Sequence, residues 1–342
     1  MTVMRIGTAV ALSVDRRAAT VTVLIWVLVL ALVVFTLGTG PQGSWPAAVI
    51  SHLRGVEGDA AAGFVLERLR GPRVIVAVGV GVALGLAGAL FQTVTRNPLG
   101  SPDVIGLGAG AGAGVALATL WWPGQVPAMM GAVLGAGAAA LLVHQATGRG
   151  FSSPARVIVT GIAVSAMAHA ITQYVVAVGL RDSAHQLAAY LVGSLGTRTF
   201  QDAGLIGASL LVLAPLVLLL SHRLTLMDLG DDLADSLGVG AVRVRTAAII
   251  LAVLLAAVAV AVAGPIAFVA LTAPHIARRL TRRPGANLAA SATLGALIVV
   301  SADLLVQQLS VLDGLPVGIV TAGLGGVYLG YLLIHEWRKA SA

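Results

Sequence analysis

A chain of 342 residues that is 58% hydrophobic, 10% charged and has a mean hydropathy of +0.97 lacks the polar surface of a water-soluble fold, since soluble domains carry about 25% charged residues. The net charge of +7 does not point to nucleic acid, because the basic residues fall between apolar runs rather than on one patch, the pattern of loops on the inner side of a membrane. Cysteine is absent, which excludes disulfides, thiol catalysis and Cys-ligated metal.

The apolar residues are mainly Ala, Val, Leu and Gly in continuous stretches. That suits close-packed helices in lipid rather than the alternating segments of a β-barrel. A helix crosses a bilayer with about 20 apolar residues. Residues 1–20, with Arg5, Arg16 and Arg17, read as a cytoplasmic N-terminal segment. The first span follows near Val21–Thr39 and is retained rather than cleaved. A second lies near Val74–Val94. The uncharged stretch Val104–His144 is too long for one span, and Trp121-Trp122-Pro123-Gly124 splits it into two. Further spans are Val157–Leu180 and Ala203–Leu220. A polar cytoplasmic loop occupies 222–245. Thr246–Ile276 is an uncharged run of 31 residues, read as a full span, a turn at Gly264-Pro265 and a short returning half-helix. Spans near Leu288–Val306 and Val317–Leu333 complete an all-α, single-domain membrane protein, 1–342, with ten spans. With the N-terminus inside, fifteen of the 21 Lys and Arg fall on the inner side and six on the outer, in the sense of the positive-inside rule.

Several segments carry chemistry. Arg68-Leu69-Arg70-Gly71-Pro72-Arg73 lies at the outer mouth of the second span. Such arginines either anchor a helix end by snorkelling or present forks for carboxylates of an external protein. Pro72 suits the first turn of the helix. On the inner side, Gln92-Thr93-Val94-Thr95-Arg96-Asn97-Pro98-Leu99-Gly100-Ser101-Pro102 forms a rigid non-helical turn with polar side chains near a pore. The alternating glycines Gly106 to Gly114 lie in an apolar run and serve helix packing. They are no phosphate loop: the single lysine is Lys339 and no Walker motif exists.

The loop Met227–Val239 has a helical pattern. Asp231 suits a helix start, Gly238 and Gly240 its end, and Leu229, Leu233 and Leu237 make one apolar stripe. A small helix of this kind is a docking knob for another protein. Its Asp231-Asp232-x-x-Asp235 also matches the DDxxD spacing that holds magnesium on diphosphates. A membrane prenyltransferase needs a second such motif, and none exists. His275, beside Pro274, has no ligand-spaced partner and reads as a cap at a helix end rather than a metal ligand. Asp303 is an intramembrane carboxylate and thus a functional candidate. It either couples protons in a secondary transporter or takes a hydrogen bond or ion pair within the bundle. Ser301, Gln307 and Gln308 lie near it in sequence, and His169, Thr172 and Gln173 are candidates to line the same interior.

Taken together these segments resemble the FecCD family of importer permeases, typified by the BtuC-type cobalamin permease, from about Arg68 to Leu333. The family's R-x-P-R is met by Arg70-Gly71-Pro72-Arg73, and its N-P-L-A-x-P by Asn97-Pro98-Leu99-Gly100-Ser101-Pro102. Gly264 to Arg278 matches G-x-I-x-F-V-G-L-x-x-P-H-x-x-R, with Ala270 for glycine. Ala302-Asp303 and Leu315-Pro316-Val317-Gly318-Ile319-Val320-Thr321-Ala322 match later elements. The resemblance implies a BtuC-like type II importer permease in the bacterial cytoplasmic membrane, without cofactor, metal or enzymatic activity of its own. It implies a second permease subunit, separate ATP-binding-cassette ATPase subunits and an extracytoplasmic substrate-binding lipoprotein. Arg70 and Arg73 would dock that lipoprotein. Asn97, Pro98 and Leu99 would form the cytoplasmic gate. Asp231, Asp232, Leu233, Asp235, Leu237 and Gly238 would belong to the helix coupled to the ATPase. Thr172 and Asp303 would be polar groups of the pathway or bundle. Iron(III)-siderophore is the expected cargo, with cobalamin and haem as alternatives. The sequence departs from the family where a further outer arginine is replaced by Gln307, and where Gly325-Gly326-Val327-Tyr328 lacks a proline.

Overall fold

The computed structural model describes residues 2–6, 10–38, 64–147, 154–179 and 190–340. Residues of the N-terminal segment pair as an antiparallel hairpin, β1 (Thr2–Ile6) with β2 (Val10–Val14), which hydropathy gave no reason to expect. The other elements among the described residues are helices: α1 (Arg16–Gly38), α2 (Gly71–Thr95), α3 (Leu107–Trp121), α4 (Ala128–Thr147), α5 (Pro154–Gly179) and α6 (Phe200–Met227), then the short α7 (Asp231–Ser236). After these come α8 (Ala241–Ala263), α9 (Val269–Thr281), α10 (Leu288–Gln308) and α11 (Val317–Ala340). Among the described residues seven helices are long and apolar enough to cross a membrane, and Leu107–Trp121 and Val317–Leu332 are shorter apolar helices.

The expected turn at Gly264-Pro265 is present. Gly264 has φ 76° and ψ 175°, a backbone conformation open to glycine, and α9 returns as a half-helix. Two boundaries differ from expectation. Pro72 does stand in the first turn of α2, as its residue type suggested, and a π-helical turn, Val65–Arg70, leads directly into it. Proline removes one amide and crowds the carbonyl four residues back, and widening the preceding turn relieves both. α6 runs to Met227, past the apolar run ending at Leu220, because hydropathy marks lipid contact and not the helix end. His275 lies inside α9 rather than at an end.

The hub of the bundle is α2, packed against α6, α8, α9 and α10. Its contact with α10 is a glycine seam: a β-carbon on Gly81 would overlap the backbone at Gly295-Ala296, and one on Gly85 would overlap the Ser291 carbonyl. A second seam joins α3 to α4 through Gly110, Gly114, Gly131 and Gly135. Small residues let backbones touch where lipid offers no hydrophobic drive to helix association. α1 lies against α9 and α10 through Ile25 and Val29. Leu211 and Leu219 of α6 are 78% and 74% exposed, as lipid-facing positions should be.

Candidate functional site

Three polar assemblies interrupt the apolar bundle. The first is at the outer end. Arg73, in the first turn of α2, holds Asp303 of α10 through a fork: Nε to Oδ1 at 2.9 Å and to Oδ2 at 3.1 Å, and Nη2 to Oδ1 at 2.7 Å. Gln307, one turn further along α10, donates to Asp303 Oδ2 at 2.7 Å. The side chains of Arg73 and Asp303 are 19% and 3% exposed. Arg73 is therefore turned inward, and Gln307 completes the shell of Asp303. Arg70 lies half-buried beside it and donates Nη1 to the Thr36 carbonyl of α1 at 3.2 Å, while Arg68 and Leu69 are exposed. The grouping of Asp303 with the polar residues of α5 is not formed. Thr172 is buried and donates to the Ala168 carbonyl of its own helix at 3.0 Å, whereas His169 and Gln173 are exposed on α5.

The second assembly is the inner loop after α2. Arg96 ends the helix in left-handed backbone, φ 49°. Asn97 then braces the turn from within: its Oδ1 accepts from Leu99 N at 2.9 Å and its carbonyl from Gly100 N at 2.9 Å. Pro98 adds a fixed φ. Leu99 is 49% exposed. A cavity of about 230 Å³ opens beside it, lined by Asn97, Leu99 and Gly100 of the loop, Phe91 and Thr95 of α2, and Val157 and Ile158 of α5. Another, of about 240 Å³, lies on the other side and is lined by Gln92, Thr93, Arg96, Pro98, Asp228, Arg278 and Gly285. Gln92 bridges the neighbouring elements, accepting from Arg278 of α9 and donating to the Leu271 carbonyl at 3.0 Å. His275 Nδ1 is 2.8 Å from the Tyr328 hydroxyl, a tie between α9 and α11 that sequence reading missed. The missing proline at Val327-Tyr328 leaves α11 unbroken there.

The third assembly is α7. Ala234 is fully buried and anchors it, while Leu229, Leu233 and Leu237 stand 56%, 59% and 61% exposed. All three leucines singled out by their spacing are exposed, Leu233 within α7, Leu229 in the turn before it and Leu237 at its C-cap. Gly238, φ 77°, closes the helix, and Asp235 Oδ1 accepts from Ala241 N at 2.6 Å to fix the entry into α8. Asp232 is exposed. Asp231 is shared by two cations, Arg96 Nη2 at 2.6 Å and Arg245 Nη2 at 2.5 Å. The hydrogen bond from Arg245, with the charges of Arg245 and Arg96, holds its carboxyl below the usual aspartate range. Two of the three DDxxD carboxylates are therefore committed to protein groups. Among the described residues no group of three His, Cys, Asp or Glu gathers to hold a metal. The magnesium-dependent reading has no geometric support.

Known proteins agree with this architecture. Residues 27–335 match the model of the FecCD transport family. The chain is 37% identical over 328 residues to the Fe(3+)-citrate import system permease protein YfmE of Bacillus subtilis, covering 95% of this chain and 98% of that one. It is 39% identical over 276 residues to the ferric enterobactin transport system permease protein FepG of Escherichia coli, covering 80% and 84%. A solved metal-chelate type ABC transporter in an inward-facing conformation superposes with a TM-score of 0.79 at 25% identity, over 93% of this chain and 99% of the other. With apolar spans, a BtuC-like bundle and this match over nearly its whole length, the chain belongs to the FecCD transport family and is a multi-pass permease of the bacterial cytoplasmic membrane.

Proposed function

We propose that this permease carries an iron(III) chelate of siderophore or citrate type inward, driven by ATP-binding-cassette ATPase subunits that dock on α7. The observation that carries the reading is the set of exposed leucines on and flanking α7, Leu229, Leu233 and Leu237, presented beside the inner loop on a helix pinned by Ala234. Relatives named for Fe(3+)-citrate and ferric enterobactin transport supply the cargo class. ATP hydrolysis belongs to the separate subunits, because this chain has no Walker motif. An extracytoplasmic substrate-binding lipoprotein delivers the chelate to the outer face. Arg70 and the exposed Arg68 offer it guanidinium groups, and Arg73 supports that surface from beneath through Asp303. A second permease subunit completes the pathway. In support, His169 and Gln173 are exposed within α5, and polar groups at membrane depth face protein or water rather than lipid. Asn97, Pro98 and Leu99 form the cytoplasmic gate, and ATP closure shifts the assembly between outward-open and inward-open states. Asp303, held by Arg73, is a structural ion pair and not a proton carrier.

Uptake of radiolabelled ferric citrate and ferric enterobactin by cells carrying the wild-type or Leu233→Asp permease tests the reading. Energised uptake of one chelate, abolished by Leu233→Asp at equal membrane levels, is the expected result. Uptake that survives Leu233→Asp, or that follows the proton gradient without ATP, overturns it.

A further inference from the structure

The gate and the ATPase helix are far apart in sequence and lie on different elements, yet one carboxylate joins them. We infer that Asp231 and Arg96 form the link through which displacement of α7 moves the inner gate loop; this rests on the reading of α7 as the ATPase docking helix. α7 packs chiefly on the ends of α6 and α8. Its first residue, Asp231, reaches across to Arg96, the residue that ends α2 and begins the gate loop. The same Arg96 Nη2 also donates to the Met227 carbonyl at the end of α6, at 3.1 Å. Arg245 of α8 holds the other carboxylate oxygen, so Asp231 cannot swing away from its helix pair without breaking a second ion pair.

The receiving end is stiff. Arg96 N bonds to the Thr93 carbonyl and Asn97 N to the Gln92 carbonyl, both at 3.3 Å, and the Asn97 side chain braces Leu99. With Pro98 in the turn, a pull on the Arg96 guanidinium is carried to Leu99 instead of being absorbed by the loop. Coupling of this kind needs a physical connection whose two ends belong to elements with two positions, and here both ends are named. The pair is also poorly suited to holding the fold. Arg96 and Asp231 side chains are 51% and 39% exposed, and exposed ion pairs contribute little to stability. A role in transmission can therefore be separated from a role in folding.

The test uses tagged permease purified from its host membranes together with the subunits that accompany it. Three quantities are read: co-purification of the ATPase subunits, ATP hydrolysis by the eluate, and uptake of the radiolabelled ferric chelate by the same cells. Arg96→Gln is expected to retain assembly and hydrolysis while uptake falls about tenfold, within the range of allosteric coupling energies, and Asp231→Asn should lower uptake at least as far. The double variant should fall no further than Asp231→Asn alone, and Arg96→Lys should recover part of the uptake. If Arg96→Gln imports chelate as the wild type does, the link is overturned. If Arg96→Gln loses the ATPase subunits, the residue serves docking and the link is again overturned. Leu233→Asp separates the two ideas: should it keep both ATPase subunits and uptake, α7 is not the docking helix and the parent reading fails first.

Discussion

Removing Arg73 tests what the outer ion pair does. Arg73→Ala leaves Asp303, 3% exposed, with only the Gln307 amide. Breaking a buried pair by deleting one partner costs about 3–5 kcal/mol, since the remaining charge is left uncompensated. Arg73 is itself 19% exposed, so water reaches part of the site and the lower end of the range, about 3 kcal/mol, is expected. Asp303→Asn removes the charge but keeps the shape, and the remaining arginine is 19% exposed; the loss is about 1.5–3 kcal/mol, that of hydrogen bonds to a charged group. The double change Arg73→Met/Asp303→Leu removes both charges together, and such replacements are neutral or stabilising by about 1–4 kcal/mol. Melting of the three variants in lipid nanodiscs, followed by tryptophan fluorescence, should therefore rank Arg73→Ala lowest, Asp303→Asn next and the double variant near wild type. The reasoning is refuted if Arg73→Ala melts with wild type. It is refuted equally if Asp303→Asn is fully stable yet abolishes uptake in a manner that follows the proton gradient, for the carboxylate would then carry protons.

Other parts of the structure make sharper demands. Gly85→Val should fail to accumulate in membranes, because even its β-carbon overlaps the Ser291 carbonyl, whereas Gly204→Val, in open space on α6, should accumulate normally; immunoblots of membrane fractions decide. Tyr328→Phe deletes the hydroxyl at 2.8 Å from His275 Nδ1 and should lower stability by about 0.5–1.5 kcal/mol, read as a small melting shift. Asp231 is held below its usual range by Arg245 and Arg96. Its contribution is complete above the unfolded value of about 3.9 and is lost only as pH falls through the lowered one. Uptake profiles of wild type and Asp231→Asn should thus share one shape near neutrality, differing in height alone.

The spans were legible because lipid imposes a length and a polarity on every helix that crosses it. The full span, turn and half-helix of Thr246–Ile276 followed from length and a single Gly-Pro. The short helix α7 with its exposed Leu233 followed from spacing. What hydropathy could not supply was pairing across the chain. Arg73 and Asp303 are 230 residues apart, Arg96 and Asp231 are 135 apart, and nothing local announces either bond. Depth would have found the first: the topology places both residues near outer helix ends, and opposite charges at equal depth inside a bundle have few other partners. His275 was misplaced for a different reason. Pro274 suggested a helix boundary, but a proline six residues into a short half-helix meets a backbone that begins at the left-handed Phe268, φ 67°, and has few turns to disrupt.

The seam between α2 and α10 has a consequence for inheritance. Where Gly81, Gly85 and Gly295 set backbone against backbone, no side chain lies between the helices that could be exchanged for another of similar size. Descendants of this permease can alter that contact only by moving two helices at once. The exposed faces of α5 and α11 carry no such restriction, so side chains can be exchanged there while the scaffold is copied unchanged.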